Sequence, residues 1–291
     1  MAVDLAELPP GRADMVRALN ERLERFCSLA PLSELNVILH STGVNYAHQF
    51  WILSMLGRGR LSQFKSVHFV SGSVIAAVVY YSYKTGNLQY GRGSALRWEQ
   101  DFFTAHRLSP ARSSLRIPYQ LLSGRPMLSH QVQMDVIRAG IGKGFGDETV
   151  SFFPSNFHFW LYDETSQELV CATADNDLNF LKLVELAVAA TAVPRIFVPL
   201  KIGPFRFVDP VFSSARGRLA ARLREISGPT LVSNMVVDRD TRSRSFVRPH
   251  RHAWGRLLMV RELMQFCLGV SNRDHVEGLE CGLVVMGDLM D

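Results

Sequence analysis

The chain has 291 residues, 47% hydrophobic and 20% charged, which is enough for a large core. Its net charge of +5 is too small, without a clustered basic patch, to favour nucleic acid as a partner. The four cysteines are widely spaced, so we expect reduced thiols, no metal site and no cofactor. The N-terminus lacks the apolar core of a secretory signal, and no apolar run reaches the ~20 residues that span a bilayer. These features predict a cytoplasmic protein that at most binds a membrane surface.

The first part of the chain alternates predicted helices and strands. Hydrophobic periodicity predicts a helix over 11–29, a strand over 35–39, a helix over 47–56, a strand over 67–70 and a helix over 74–83. Such alternation is typical of an α/β fold with a parallel sheet covered by helices on both faces.

In the rest of the chain we expect an insertion, further strands and helices, and a C-terminal extension. Residues 85–149 have the Gly, Arg and Pro content of a helical insertion or lid, with helices near 95–106 and 129–140. Further strands are predicted within 151–162, 169–172, 205–208 and 229–237, and further helices over 178–190 and 257–268. The apolar segment over 281–286 predicts a last strand or an interface segment. We expect an N-terminal helical extension over 1–30, one domain over 31–240 and a C-terminal extension over 241–291 packed on that domain.

Two turns are candidate site corners. The run His68-Phe69-Val70-Ser71-Gly72-Ser73-Val74 is typical of a buried strand that turns sharply into a helix, the geometry that lifts a serine hydroxyl out of a sheet. Residues 41–46 form a polar turn before a helix, where unpaired N–H groups favour an anion.

A third candidate is Asp209, which follows the predicted strand over 205–208. A carboxylate at a strand end is well placed to orient a group on the elbow. The alternative is a turn-forming aspartate before Pro210, a common structural role.

Segments 36–56, 67–83, 184–199 and 205–212 resemble, in order and spacing, the patatin-like lipid acyl hydrolases. The most specific match is Ala192-Val193-Pro194-Arg195-Ile196-Phe197-Val198-Pro199, followed by Asp209. The resemblance implies a three-layer α/β/α sandwich with a mainly parallel sheet and a Ser-Asp dyad without histidine. It also implies a lipid or acyl-chain ligand and an oxyanion loop, which aligns with Thr42, Gly43, Val44 and Asn45.

Two alignments of the family's Gly-x-Ser-x-Gly elbow remain open. In the favoured one, Gly72 takes the first glycine and Val74 occupies the nucleophile position, because small residues then follow where strand and helix pack closely. This alignment predicts a pseudoenzyme that binds a lipid or acyl group, or a partner-binding subunit of a larger complex. In the other, Ser73 and Asp209 form the catalytic dyad of an active phospholipase A or esterase.

A basic run begins at Arg239 and ends at Arg256. Its arginines favour contact with an anionic membrane surface, and a solvated basic loop is the alternative.

Overall fold

The computed structural model describes residues 10–40, 47–84, 130–141, 145–194, 197–235 and 281–285. These residues form a mixed α/β fold with helices around a mostly parallel central sheet. The helices are α1 (Pro10–Cys27), α2 (Ala47–Leu61), α3 (Gly72–Lys84), α4 (His130–Ile141), α5 (Leu183–Thr191) and α6 (Arg216–Arg224). The strands are β1 (Asn36–Leu39), β2 (Ser66–Val70), β3 (Phe157–Asp163), β4 (Glu168–Ala172), β5 (Leu200–Ile202), β6 (Phe205–Val208), β7 (Thr230–Met235) and β8 (Cys281–Val285).

The described strands form one sheet in the order β5-β6-β3-β2-β1-β7-β8, with β4 paired to β3. Strands β3, β2, β1 and β7 run parallel, and the pairs towards the edges are antiparallel. Parallel strands are normally buried on both faces, which explains why every residue of β1 and β2 is buried.

Strand β6 lies beyond the end of β2, on the same edge of β3. Phe159 and Trp160 pair with β2 on one edge and with β4 on the other. Tyr162 and Asp163 pair with both β4 and β6, so β6 occupies the edge that β2 leaves free. The residue that follows β6 is therefore delivered to the carboxyl end of β2.

Alternate residues of the central strands belong to two different apolar clusters. Val37 and Phe69 join the larger cluster, which also contains apolar residues of α1, α2, α3 and α5. Ile38 and Val70 pack with Leu219 of α6 and its neighbours. This alternation is the period-two pattern of a strand with two buried faces.

Most predicted elements within the described residues are confirmed, with small shifts at their ends. The confirmed helices are those predicted over 11–29, 74–83 and 129–140, and the confirmed strands are those over 35–39, 67–70, 169–172, 205–208, 229–237 and 281–286. The helix predicted over 47–56 is α2, which continues to Leu61 after a break at Gly57 (φ 72°, ψ 155°).

Two predictions differ from the structure, and one strand of the structure has no counterpart among the predictions. The helix predicted over 178–190 begins only at Leu183, because Asn176 holds the preceding segment in a turn with Oδ1 accepting from Thr173 N and Leu178 N. The strand predicted from residue 151 begins at Phe157, after a 3-10 turn. The short strand β5 was not predicted from the sequence.

The helices predicted near 95–106 and over 257–268, most of the insertion predicted over 85–149, and the basic run from Arg239 to Arg256 lie outside the described residues. Within the described part of the chain, none of the helices has the length and apolar composition that crossing a membrane requires.

Candidate active site

Ser71 occupies the turn between β2 and α3 in an uncommon backbone conformation. Strand β2 ends at Val70, helix α3 begins at Gly72, and Ser71 between them has a φ of +57°. A positive φ places a Cβ in a crowded position and costs on the order of 1–3 kcal/mol for a residue other than glycine. Such strain persists only where the surroundings enforce it, and it is concentrated at functional sites.

The hydroxyl of Ser71 is hydrogen-bonded to the carboxylate of Asp209. Ser71 Oγ donates to Asp209 Oδ2 at 2.5 Å, across 138 residues of sequence. Both residues are buried, with Ser71 at 2% and Asp209 at 0% relative exposure. The position of β6 beyond the end of β2 explains how two residues so distant in sequence come together. A serine hydroxyl that donates to a carboxylate able to accept its proton is the simplest arrangement for nucleophilic catalysis.

Asp209 is held firmly on both its main chain and its side chain. Its N–H donates to Ala192 O at 3.0 Å, and its Oδ1 accepts from Val211 N at 2.8 Å. Burial raises the pKa of Asp209 to about 7, although hydrogen bonds from Ser71, Val211 and Phe212 act in the opposite direction. A carboxyl group that titrates near neutrality is suited to act as a general base and then as a general acid.

Helix α3 starts directly after Ser71, so its N-terminal end lies at the same turn. The first N–H groups of a helix lack intrahelical partners, and the N-terminal end of the helix dipole is positive. The backbone N–H of Gly72, the residue after the serine, is therefore a candidate donor to an oxyanion. Ser71 O accepts from Val74 N at 2.9 Å, which closes the first turn behind it.

The structure does not bring Ser73 to Asp209. Ser73 has 0% exposure, and its Oγ contacts Leu39 O at 2.6 Å and Val70 O at 3.0 Å. Val74 is fully buried in the apolar core on α3. The serine that contacts the carboxylate is Ser71, at the turn itself. Neither predicted alignment of the elbow takes Ser71 as the nucleophile.

The predicted oxyanion residues Thr42, Gly43, Val44 and Asn45 lie outside the described residues. The described residues before them end at His40, just after β1, the parallel neighbour of β2, at the edge of the sheet where Ser71 lies. Gln49 Nε2 donates to His40 O at 3.1 Å, which joins the described residues before and after positions 41–46.

The nearby His68 is engaged in a separate network. Trp160 Nε1 donates to His68 Nδ1 at 3.2 Å, so the proton of a neutral ring lies on Nε2, which contacts Ser66 Oγ at 2.9 Å. Burial and the charge of His158 lower the pKa of His68 to about 3. The ring is therefore neutral near pH 7 and has a structural role. Among the described residues, no group of three or more His, Cys, Asp or Glu side chains is arranged to hold a metal ion.

One sequence signal identifies Ser71 in retrospect. Ser71 is the first residue after the β-branched end of the strand, so Phe69-Val70-Ser71-Gly72-Ser73 reads as the elbow with both glycines replaced. Phe69 fits because it packs against Phe157 and Phe159, with ring centroids 5.0 Å away in each case.

Comparisons with known proteins give no independent identification: no protein-family model matches the chain, and neither does any curated protein.

Proposed function

We propose that the protein is a serine hydrolase of carboxylic esters, in which Ser71 is the nucleophile and Asp209 is the general base. The observation that carries the proposal is the 2.5 Å hydrogen bond from Ser71 Oγ, on a residue with a φ of +57°, to the buried Asp209 carboxylate. Hydrolases that carry their nucleophile at a strand-to-helix turn hold that residue in a strained backbone conformation of this kind.

The first half of the reaction forms an acyl-enzyme. Ser71 Oγ attacks the ester carbonyl carbon and transfers its proton to ionised Asp209, and the carbonyl π electrons move onto the oxygen. The Gly72 N–H and the positive end of α3 stabilise this oxyanion. The tetrahedral intermediate then collapses, the alcohol oxygen leaves and takes the proton from Asp209, and the acyl group stays on Ser71.

The second half repeats these steps with water. Asp209 accepts a proton from water as the water oxygen attacks the acyl carbon, and a second tetrahedral intermediate forms. When this intermediate collapses, Ser71 Oγ leaves and recovers the proton from Asp209, and the carboxylic acid is released. One water is consumed for each ester bond that is cleaved, and the dyad returns to its starting state.

Further observations support the patatin-like form of this proposal. Core clusters that include helices lie on both faces of the central strands, as a three-layer α/β/α sandwich requires. Ala192 O accepts a hydrogen bond from Asp209 N, which joins the segment over 192–199 to the aspartate that follows it. In the patatin-like family the corresponding two motifs follow each other in the same order. No histidine takes part in the hydrogen bond between Ser71 and Asp209.

Exposed apolar side chains near the dyad in sequence favour an acyl substrate. Val198, at 46% exposure, follows the Ala192 passage, and Phe212, at 39%, lies three residues after Asp209. Large apolar side chains that are exposed close in sequence to Asp209 agree with a hydrophobic substrate such as a lipid.

The test is hydrolysis of p-nitrophenyl esters of increasing acyl length by the purified protein and by Ser71→Ala. We expect hydrolysis that improves with acyl length and is lost in Ser71→Ala. Ser82→Ala is the matched control, because Ser82 is a buried serine in α3, the helix that follows Ser71, and its Oγ donates to Val79 O at 2.8 Å. Equal activity of the parent protein and Ser71→Ala would contradict the proposal.

The second candidate function is a lipid- or acyl-binding pseudoenzyme. Two observations favour it: the 2% exposure of Ser71, which limits access, and Phe69 in place of the first elbow glycine. This candidate predicts no ester hydrolysis, no reaction of Ser71 with acylating reagents, and co-purification of a bound acyl compound.

A further inference from the structure

The buried hydroxyl of Ser73 joins three segments of chain at the elbow. Ser73 Oγ accepts from Val70 N at 2.7 Å and lies 2.6 Å from Leu39 O and 3.0 Å from Val70 O. A hydroxyl has one proton, and the shorter contact makes Leu39 O its main acceptor. Ser73 therefore links the last residue of β1, the last residue of β2 and the first turn of α3.

These bonds form where the sheet ends. The register of β1 and β2 ends at Leu39 and Phe69, and the chain then turns away at Ser71. Val70 N and Leu39 O are both main-chain groups at this boundary, and the side chain of Ser73 satisfies them. Buried main-chain groups without a partner cost about 1–3 kcal/mol each, so the geometry of the turn depends on this hydroxyl.

Ser71 lies between the two residues that this bond fixes. Val70 precedes it and Ser73 follows two positions later, so the bond from Val70 N to Ser73 Oγ closes a short loop around Ser71. The positive φ of Ser71 must be imposed by its surroundings, and this loop is the nearest constraint. The same constraint sets the direction of Ser71 Oγ towards Asp209 and of the Gly72 N–H.

We propose that Ser73 is a positioning residue, whose hydroxyl holds the elbow in the conformation that aims Ser71 at Asp209 and at the substrate. This inference rests on the proposed function of Ser71. It gives a role to a serine that occupies the position of the second elbow glycine. A glycine there would leave Val70 N and Leu39 O without their side-chain partner.

The experiment compares Ser73→Ala with Ser82→Ala. Both variants remove a fully buried hydroxyl from α3, but only Ser73 contacts the elbow. The readouts are kcat and KM for a p-nitrophenyl ester, the rate of inactivation by a fluorophosphonate, and thermal unfolding. We expect kcat and the inactivation rate to fall ~10- to 100-fold in Ser73→Ala, because small misplacement of a reacting group has effects of that size. We expect KM to stay within about twofold and Ser82→Ala to retain the parent rates.

The pH dependence gives a readout that a purely structural role would not move. The hydrogen bond from Ser71 lowers the pKa of Asp209 against the effect of burial. If Ser73→Ala misdirects Ser71, that bond weakens, and the midpoint of the kcat/KM profile moves to higher pH. If Ser73→Ala fails to fold, Ser73→Cys replaces it, because a thiol has a similar shape and bonds more weakly.

The outcomes separate this inference from the proposed function. If the parent protein shows no hydrolysis and no reaction with the fluorophosphonate, both are overturned. If the parent protein reacts and folded Ser73→Ala reacts at the same rate with the same pH midpoint, the positioning role alone is overturned. Equal losses in Ser73→Ala and Ser82→Ala would also overturn it, because the effect would then come from general destabilisation.

Discussion

Two aspartates of this fold are almost equally buried, and their pKa values shift in opposite directions. Asp163 ends β3 at 2% exposure, and Asp209 follows β6 at 0%. Burial tends to raise the pKa of both. For Asp163, hydrogen bonds outweigh burial and lower the pKa, whereas for Asp209 they do not.

Although both side chains expose almost no surface, Asp209 lies deeper in the protein than Asp163, and the donors around the two carboxylates also differ. Asp163 accepts four hydrogen bonds, from Arg206 N, Thr165 N, Ser166 N and Ser166 Oγ. The side chain of Asp209 accepts three hydrogen bonds, from the Ser71 hydroxyl and from the backbone N–H groups of Val211 and Phe212. A carboxylate rich in donors stays ionised and ties the structure together, whereas one with few donors keeps a proton affinity that is useful in catalysis.

The first prediction exchanges each aspartate for asparagine and measures turnover. We expect Asp209→Asn to lower kcat by ~10³-fold or more, because the base is lost. Asp163→Asn, measured at a temperature where it is folded, should stay within a few-fold of the parent. Similar losses in the two variants would mean that Asp209 has no special role.

The second prediction concerns the pH dependence of hydrolysis. Only ionised Asp209 can accept the Ser71 proton, and its pKa is about 7. We therefore expect kcat/KM to rise about tenfold per pH unit below 7 and to level off above it. A profile that is flat between pH 5 and 8 would show that this group does not control the rate.

The third prediction is that Asp209→Asn stabilises the protein at alkaline pH. The raised pKa of Asp209 means that its contribution to stability is present at low pH and is lost as pH rises through about 7. Asparagine never ionises, so at pH 8 the variant should have a free energy of unfolding higher by a few kcal/mol. Denaturant titrations at pH 5 and pH 8 measure this, and an equal difference at both pH values would contradict it.

The fourth prediction is that Asp163→Asn destabilises the protein, the opposite of the effect expected for Asp209→Asn. The pKa of Asp163 is lowered, so its contribution to stability is present above the ordinary aspartate pKa and is lost as pH falls through the folded value. We expect Asp163→Asn to lower the free energy of unfolding by about 1–3 kcal/mol at pH 7, because donors of the turn lose a charged acceptor. The same titrations should show this difference shrinking towards pH 3.

The sequence was sufficient for the alternation of elements and for the position of Asp209 after a short strand. Helical and strand periods are local properties, and Asp209 stands at the end of a recognisable short strand. The start of α5 could not be read in this way, because the side chain of Asn176 competes with helical hydrogen bonds. The hydrogen bond from Arg206 N to Asp163 also depends on tertiary contact between β6 and the β3–β4 turn.

Ser71 escaped the sequence analysis for a physical reason. Neither predicted alignment of the elbow takes Ser71 as the nucleophile, because Phe69 and Ser73 occupy the glycine positions that would mark it and satisfy the packing in other ways. The conformation of Ser71 depends on the hydrogen bonds of Ser73 with Val70 and Leu39, which no pattern in the sequence predicts. The position of Ser71 directly after the last residue of β2 was a more reliable signal of the turn than the glycine pattern of the elbow.

The most direct measurement is reaction with a fluorophosphonate at pH 8, followed by intact mass and peptide mapping of the parent, Ser71→Ala and Ser73→Ala. Attack by Ser71 Oγ on phosphorus displaces fluoride and leaves a stable phosphonyl ester. We predict one adduct per chain, located on Ser71, absent in Ser71→Ala and formed slowly in Ser73→Ala. A folded parent protein without an adduct, or with an adduct that persists in Ser71→Ala, would contradict the assignment of Ser71 as an activated nucleophile.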